Sequence, residues 1–280
     1  MARIVSAILM SHTTFMVELV DRADAEQVRR FSQGLDEARR ALLDSQPDVV
    51  LVSGSDHVRT FFYDKVPAFC IGIGEQVESW GDGASVQQVE IHDAMARFLL
   101  RQALMRGWDL AYSENMKLDH AFMIPITQLF RERRWPVIPL FQNCNLPPYA
   151  SMQRCLEVGG ILRQAIEAWP GDTRVALVGS GGISHWVGVP RMGDINEEFD
   201  RRFLGQIEQG DLEAIGRYSE EEIEEQGGNG AQELRAWATV IGAVPDFRWR
   251  IACYEPIKEW ATGMGIMIAS APGKEEGASA

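Results

Sequence analysis

IVSAILM (residues 4–10) and DVVLVS (residues 48–53) are short apolar runs rich in β-branched residues, and residues 23–44 between them have the spacing of an amphipathic helix. Short apolar runs of this kind are typical of strands that are buried on both faces of a sheet. A strand, a helix and a second strand in this order predict a βαβ unit with parallel strands. The sequence therefore predicts an α/β fold built on a parallel sheet.

The same alternation of strands and helices continues along the rest of the chain. Apolar runs predict further strands at 68–73, 109–112, 135–141, 174–179, 249–254 and 264–270. Helical spacing predicts helices at 89–106, 121–133, 151–168, 195–225 and 230–244. We predict one domain over 1–272, with a central, mostly parallel sheet flanked by helices and a helical insertion in the C-terminal third. The small, polar residues 273–280 are expected to form a disordered tail.

Charge and cysteine content exclude several classes of protein. The 280 residues carry a net charge of -13, which argues against binding to nucleic acid phosphates or to anionic membranes. The N-terminus reads as a first strand instead of a signal peptide, and no run approaches membrane-spanning length. The four cysteines form no CxxC pair, so we expect reduced, mostly buried thiols in a cytoplasmic protein.

The histidines indicate where the chemistry lies. His12, His57 and His185 each follow a predicted strand, and ligands of open α/β sheets gather beyond the carboxyl ends of the strands. His120, in a predicted loop before an apolar helix, can reach the same edge. A single histidine is usually a surface or hydrogen-bonded polar residue, but three in one topological position favour a site. His92, inside the predicted helix 89–106, is interpreted as structural or solvated.

Two histidines and one carboxylate on one face of a metal form the donor set of non-haem Fe(II) oxygenases. Such a set leaves coordination positions for a bidentate substrate and for O2. Spacing does not select the carboxylate, and Asp56, Asp119 and Glu233 are all candidates beside many surface acids. Pattern alone thus predicts a metal or acid/base site, with zinc-dependent hydrolysis as an open alternative.

Several separated motifs resemble those of the class III extradiol dioxygenases. This superfamily includes the protocatechuate 4,5-dioxygenase catalytic subunit and the 2,3-dihydroxyphenylpropionate 1,2-dioxygenases. The matching pieces are SH (11–12), DH (56–57), FFYDKVPAFCIGIG (61–74), LDHAF (118–122), GSGGISH (179–185), ELRAW (233–237) and YEPIKEWATGMG (254–265). They occur in the family's order over most of the chain, and the phrases at 61–74 and 254–265 are closer to the dihydroxyphenylpropionate branch.

The resemblance implies an enzyme that opens a catechol ring beside its two hydroxyls with O2, giving a muconic semialdehyde-type product. It implies that His12, His57 and Glu233 hold Fe(II), and that His120 and His185 are catalytic acid/base residues. Trp186 departs from the family pattern, in which a smaller or polar residue such as Gln is expected after His185.

The substrate pocket is predicted less sharply than the metal site. Arg59 lies close to His57 and could pair with a substrate carboxylate, although a solvated loop arginine is an equal alternative. Trp186 is a candidate for lining a ring pocket. The further aromatic candidates are Phe61, Phe62, Tyr63 and Trp260, and core packing is the favoured interpretation for Phe61 and Phe62.

Alternatives to an iron dioxygenase that acts alone remain open. A zinc-dependent enzyme of the same fold would act on another catecholic compound, and a non-enzymatic binding protein would use the metal edge for a partner. We expect a homo-oligomer, and a small second subunit could cover the site as in the protocatechuate branch. The acidic insertion at 195–226 could serve as a lid or as an oligomer contact.

Overall fold

The computed structural model describes residues 1–81 and 86–272, and its centre is a mixed sheet. The strands in these residues are β1 (Arg3–Met10), β2 (Val49–Gly54), β3 (Phe69–Gly72), β4 (Gln76–Glu78), β5 (Gln88–Glu90), β6 (Ala111–Ser113), β7 (Val137–Gln142), β8 (Arg174–Ser180), β9 (Arg248–Ile257) and β10 (Thr262–Ser270). The main sheet has the order β6–β3–β7–β2–β8–β1–β10–β9, and β4 and β5 form a separate hairpin.

The middle of the sheet is parallel. β7, β2, β8 and β1 are neighbours that run in the same direction, whereas β10 and β9 close one side in antiparallel pairing. On the other side β3 is antiparallel to β7 and carries β6 in parallel. The three strands that precede His12, His57 and His185 are therefore parallel neighbours, as predicted.

Helices cover both faces of the sheet. They are α1 (Phe15–Glu18), α2 (Ala25–Ser45), α3 (Asp93–Met105), α4 (His120–Leu129), α5 (Met152–Glu167), α6 (Glu197–Gln209), α7 (Leu212–Arg217), α8 (Glu220–Gly227) and α9 (Leu234–Ala243). Ala7 and Leu9 of β1 pack in the layer with α3, α5 and α9, and Ile8 and Met10 pack with α2 and α4. The alternation of β1 between two apolar layers explains its uninterrupted hydrophobic run. The predicted single α/β domain is thus confirmed.

One close contact explains a glycine that weakens a predicted helix. Gly34 lies in the middle of α2, where glycine lowers helix stability by ~0.5–1 kcal/mol relative to alanine. A Cβ atom on Gly34 would lie 2.5 Å from Cβ of Cys253 on β9. The missing side chain therefore lets α2 approach the sheet.

The helix predicted at 89–106 begins later than its spacing indicated. Its first residues form β5, and α3 begins at Asp93. His92, predicted to lie inside the helix, is instead its N-cap, because its Nδ1 accepts a hydrogen bond of 3.3 Å from the backbone N–H of Met95. This is a correction to the sequence interpretation, and it gives His92 a structural role away from the other histidines.

Two other predicted boundaries bear on the site. His120, predicted to lie in a loop, is the first residue of α4. Glu233, predicted inside a helix at 230–244, ends a 3-10 turn (Asn229–Glu233) and precedes α9. Both residues therefore lie at helix ends, where the backbone changes direction.

The C-terminal third contains the predicted helical insertion, which forms α6, α7 and α8. The predicted disordered tail, 273–280, lies outside the described residues. Across residues 1–81 and 86–272, no helix combines the length and apolar composition needed to span a bilayer. All four cysteines are free thiols, and Cys70, Cys144 and Cys155 are buried.

Candidate active site and metal centre

The parallel strands bring the predicted histidines together at the carboxyl edge of the sheet. The ring centroids of His12 and His57 are 5.5 Å apart, as are those of His12 and His120. His57 and His120 stack with centroids 3.9 Å apart and ring planes at 25°. One nitrogen from each of these three imidazoles lies within 4.8 Å of the others.

Glu233 lies next to these histidines although it is far from them in the sequence. Its Oε1 lies 3.5 Å from Nε2 of His12 and 3.2 Å from Nε2 of His57, and its side chain is 1% exposed. Its Oε2 accepts a hydrogen bond of 2.8 Å from the backbone N–H of Gly182. The structure therefore places the three predicted metal ligands around one point.

Ser180 at the end of β8 fixes the tautomer of His12. The Ser180 hydroxyl lies 2.5 Å from the carbonyl oxygen of Ala121, which can only accept, so the single hydroxyl proton is donated there. The Ser180 oxygen, 2.9 Å from Nδ1 of His12, must then accept a hydrogen bond from the N–H at that position. Nε2 of His12 therefore presents a lone pair toward Glu233, as a metal ligand requires.

Asp119 orients His57 in the same way. Its Oδ2 lies 2.8 Å from Nδ1 of His57 and accepts the backbone N–H of His57 at 2.8 Å, while Oδ1 accepts the N–H of Ala121. Burial alone would raise the pKa of Asp119, but the neighbouring His57 holds it at about 2. Asp119, one of the carboxylates that spacing left as a candidate ligand, thus contacts the side of the His57 ring that faces away from Glu233. A carboxylate behind a metal-bound histidine is a recurrent arrangement.

The buried charges favour a cation between these side chains. Oε1 of Glu233 is buried and has no hydrogen-bond partner among the described residues. Burial would raise the pKa of Glu233, but the neighbouring His12 and His57 hold it below its ordinary value. Burial would lower the pKa of His57, but Asp119 and Glu233 raise it to about 10. A divalent ion can replace the proton on His57 and bind Oε1 of Glu233. The donor set of two imidazoles and one carboxylate therefore fits a metal ion.

Ser180→Ala is expected to weaken metal binding by about 10–100-fold, since support behind a ligand is typically worth this much. The variant removes the acceptor for Nδ1 of His12. A matched control is Ser53→Ala on the neighbouring β2, because the buried Ser53 hydroxyl makes no hydrogen bond within the described part of the chain. Metal titration of both variants is the measurement, and equal affinities would contradict the orienting role of Ser180.

His185 lies on the opposite side of Glu233, and glycines fit around its ring. Its Nδ1 is 3.0 Å from the carbonyl oxygen of Ile183 and must donate to it, which leaves a lone pair on Nε2, 3.9 Å from Oε2 of Glu233. A Cβ atom on Gly230 would lie 2.1 Å from Nε2 of His185, and one on Gly182 would lie 2.6 Å from Cε1. A side chain at either position would therefore collide with the His185 ring and displace it.

Burial sets the protonation of the two histidines predicted to act as acid and base. It lowers the pKa of His185, and it lowers the pKa of His120 to about 3 together with repulsion from His57. Both imidazoles are therefore neutral near pH 7. A neutral imidazole can accept a proton from a substrate hydroxyl and return it later.

The helical insertion holds the segment that carries His185. Asp200 on α6 is fully buried, and its carboxylate accepts the N–H of Ser184 at 2.9 Å, the hydroxyl of Ser184 at 2.9 Å and the hydroxyl of Tyr254 at 2.7 Å. The Ser184 oxygen also accepts the backbone N–H of Asn196 at 2.9 Å. The insertion thus fixes the residue directly before His185.

Asp200 is expected to make stability depend on pH. Burial raises its pKa from 3.8 to about 6, although Tyr254 and Ser184 donate hydrogen bonds to it. The folded chain therefore holds this proton more tightly than the unfolded chain. The resulting stability, complete below pH 3.8, is lost as pH rises through about 6 and amounts to roughly 3 kcal/mol.

The measurement is the free energy of unfolding by urea at several pH values for the parent chain and for Asp200→Asn. Their difference should change across this pH range, because asparagine does not titrate. Asp44→Asn, at an exposed position near the end of α2, serves as a control. A difference that stays constant with pH would contradict the assignment.

The predicted substrate residues Arg59 and Trp186 differ in exposure. Arg59 is exposed, and its backbone N–H donates to Oδ2 of Asp56 at 2.9 Å. Asp56, the other carboxylate that spacing left as a candidate ligand, therefore stabilises its own loop by accepting a backbone hydrogen bond. Trp186 is buried, and the guanidinium of Arg191 lies 3.9 Å from its ring centre.

The aromatic candidates divide between core and surface. Phe61 packs against Phe141 with centroids 4.4 Å apart, and Trp260 packs against Phe31 at 5.6 Å, so both contribute to core packing. Phe62, for which core packing was favoured, is 52% exposed, and this is a correction to that interpretation. It lies on a surface loop that is held at its start by Asp56.

Sequence reasoning missed the residues that orient the histidines. Ser180 contacts His12, Gly230 lies against the ring of His185, and Asp200 holds Ser184 directly before His185, and none of the three was predicted as a site residue. The only local signal was glycine content, in the runs GSGGISH (179–185) and GGNG (227–230). Glycines that flank a predicted site residue are a sign of close packing against it.

Comparisons with known proteins agree with this geometry. Residues 6–265 match the family described as the catalytic LigB subunit of aromatic ring-opening dioxygenase. A 2,3-dihydroxyphenylpropionate/2,3-dihydroxicinnamic acid 1,2-dioxygenase of Photorhabdus laumondii is 29% identical, over 95% of this chain and 97% of the relative. A protein of the same name from Burkholderia vietnamiensis is 31% identical, over 90% of this chain and 89% of the relative.

The fold also occurs in a solved structure. An uncharacterized protein of Escherichia coli K12 superposes with a TM-score of 0.60 at 13% identity, covering 94% of this chain and 99% of that one. At this identity the likeness concerns the fold alone. The family match spans both the sheet and the converging side chains, and the chain belongs to the family of catalytic LigB subunits of aromatic ring-opening dioxygenases, as an extradiol ring-cleaving enzyme.

Proposed function

We propose that this enzyme cleaves a catechol ring in an Fe(II)-dependent reaction, with the ion held by Nε2 of His12, Nε2 of His57 and Glu233. The observation that carries the proposal is Oε1 of Glu233, buried and unpartnered within the described residues, at 3.5 and 3.2 Å from these two nitrogens. Two imidazoles and one carboxylate are the donors that non-haem Fe(II) oxygenases use. When bound, Fe(II) supplies the electron transfer that allows an aromatic diol to react with O2.

Proton transfer falls to His120 and His185 in this proposal. Extradiol cleavage requires a hydroxyl proton of the catechol to leave and a proton to return as the ring opens. His185 offers Nε2 for this purpose, because its Nδ1 is committed to the carbonyl of Ile183. His120 stacks on His57, a proposed ligand, and this places its imidazole next to the proposed metal site. Positioned acid/base groups of this kind contribute about 10²–10⁴-fold to rate.

Anaerobic loading with Fe(II), followed by O2 and a panel of catechols, tests the proposal. We expect the yellow absorbance of a ring-fission product with Fe(II) and none with Zn²⁺, which would separate iron chemistry from the zinc alternative. Turnover by this chain without any added protein would speak against a required second subunit. Absence of ring cleavage with every catechol in fully Fe(II)-loaded protein would refute the proposed reaction.

The substrate that we propose is a catechol with a carboxylate-bearing side chain. The support comes from the relatives, which are named for dihydroxyphenylpropionate and dihydroxicinnamic acid. It also comes from Arg59, an exposed cation in the loop directly after His57. A guanidinium binds a carboxylate through two parallel hydrogen bonds.

Arg59→Ala is expected to raise KM for 2,3-dihydroxyphenylpropionate by about 10–100-fold, because a hydrogen bond to a charged group is worth ~1.5–3 kcal/mol. KM for unsubstituted catechol should stay the same. Lys65→Ala, which removes another exposed cation from the same loop, is the control. Steady-state kinetics with both substrates is the measurement, and an unaltered carboxylate preference in Arg59→Ala would remove this residue from the site.

A further inference from the structure

A cavity of about 650 Å³ lies at the opposite end of α4 from His120. It is bounded by the β4–β5 hairpin, by the last turn of α4 with the residues that follow it, and by the start of β7. Its lining includes none of the proposed ligands or acid/base residues. The volume falls in the range of ~300–1,000 Å³ that is typical of small-molecule sites.

Part of the cavity lining is apolar. Val89, Ile126, Phe130, Trp135 and Val137 line it. Trp135 is 4% exposed, and its indole Nε1 is buried with no hydrogen-bond partner in the described part of the chain. The indole nitrogens of Trp108, Trp237 and Trp260 are buried in the same way, so the apolar side chains, and not this nitrogen, offer a surface for a ligand.

The rim of the cavity is rich in arginine although the protein is acidic overall. Arg131, Arg133 and Arg134 line it together with the carboxylates Glu90 and Glu132. Arg131 donates to the amide oxygen of Gln128 at 2.7 Å, and the guanidinium of Arg133 lies 5.5 Å from the ring centre of Trp135. Within residues 1–81 and 86–272, no ion pair includes Arg133 or Arg134, so the neighbouring acids do not neutralise them.

We propose that this cavity is a second binding site, separate from the catalytic centre, for a small organic carboxylate with an apolar body. The carboxylate lies against Arg133 and Arg134, which suit its planar geometry. The apolar body covers Phe130 and Val137. An inorganic anion would match the arginines but would leave the apolar floor uncovered.

Equilibrium dialysis of the full-length, metal-loaded protein with benzoate as the probe tests the proposal. We expect saturable binding that the double variant Arg133→Gln/Arg134→Gln weakens at least 10-fold, about the worth of one charge-assisted hydrogen bond. The control Arg40→Gln/Arg101→Gln removes the same charge from exposed positions and should leave binding unchanged. His12→Ala should also retain this binding, because the cavity is separate from the metal centre.

Two comparison probes define the ligand class. Benzyl alcohol keeps the ring without the charge, and inorganic phosphate keeps a charge without the ring, so both should bind at least 10-fold more weakly than benzoate. Benzoate binding that persists in Arg133→Gln/Arg134→Gln, or that disappears in His12→Ala, would overturn the proposal. Binding of phosphate as tight as that of benzoate would overturn the carboxylate class. A negative result in this binding test would not bear on the proposed ring cleavage, because no proposed catalytic residue lines the cavity.

Discussion

Glu233→Gln is expected to lose metal binding and ring cleavage together. The substitution keeps the shape of the side chain but replaces a carboxylate oxygen with an NH2 group or leaves a neutral oxygen between the imidazoles of His12 and His57. A neutral amide removes the charge that attracts a divalent cation, and its NH2 group would compete for the histidine lone pairs. Metal content should fall from about one ion per chain toward zero, and turnover should fall to background.

The measurement combines metal analysis of anaerobically loaded protein with an assay of ring cleavage. Glu225→Gln, an exposed position on α8, is the matched control and should keep both properties. Circular dichroism should show that both variants are folded. Full metal occupancy in Glu233→Gln would contradict the ligand role, whatever the activity.

Gly230→Ala is expected to lower kcat by about 10²–10⁴-fold while the metal stays bound. The new Cβ atom would lie 2.1 Å from Nε2 of His185, so the imidazole must leave its position. The loss should approach that of His185→Ala, since removal of an acid/base group costs this much. Metal binding should persist, because His185 is not among the proposed ligands.

A double-mutant cycle separates displacement of His185 from general damage. If Gly230→Ala acts through the imidazole, adding it to His185→Ala should cause almost no further loss. Gly205→Ala on α6 is the control, because a Cβ atom there meets nothing within 4 Å and should be neutral or stabilising. Additive losses in the double variant would contradict displacement as the cause.

The topology could be predicted because it follows from local patterns. The apolar runs that became β1, β2 and β8 predicted parallel strands, and parallel strands bring their carboxyl ends to one edge. His12, His57 and His185 were therefore expected to converge without knowledge of any contact. In the structure the rings of His12 and His57 lie 5.5 Å apart, and Nε2 of His185 lies 3.9 Å from Oε2 of Glu233.

The carboxylate could not be predicted from spacing, because its position depends on contacts far apart in the chain. Glu233 reaches the histidines from a 3-10 turn that packs against Gly181, where a Cβ atom would lie 2.8 Å from that of Glu233. No periodic pattern encodes such a turn. Asp119 was an equal candidate by position, and only its 2.8 Å contact with Nδ1 of His57 shows that it lies behind this imidazole and away from Glu233.

The predicted start of α3 was wrong for a related reason. Helical spacing describes the face that a segment buries, and it does not mark the residue where the helix begins. His92 ends the preceding extended segment by capping the helix with a ring nitrogen, a role more common for Ser, Thr, Asp or Asn. A histidine cap gives no familiar signal in the sequence.

The three proposed donors, His12, His57 and Glu233, come from distant parts of the sequence, and an ion bound there would act as a cross-link between the ends of β1 and β2 and the start of α9. Its binding free energy would then be part of the folding equilibrium, about 2.7 kcal/mol when free metal exceeds Kd by a hundredfold. Cells starved of that metal would hold a chain more open to proteolysis, so abundance as well as catalysis would follow metal supply.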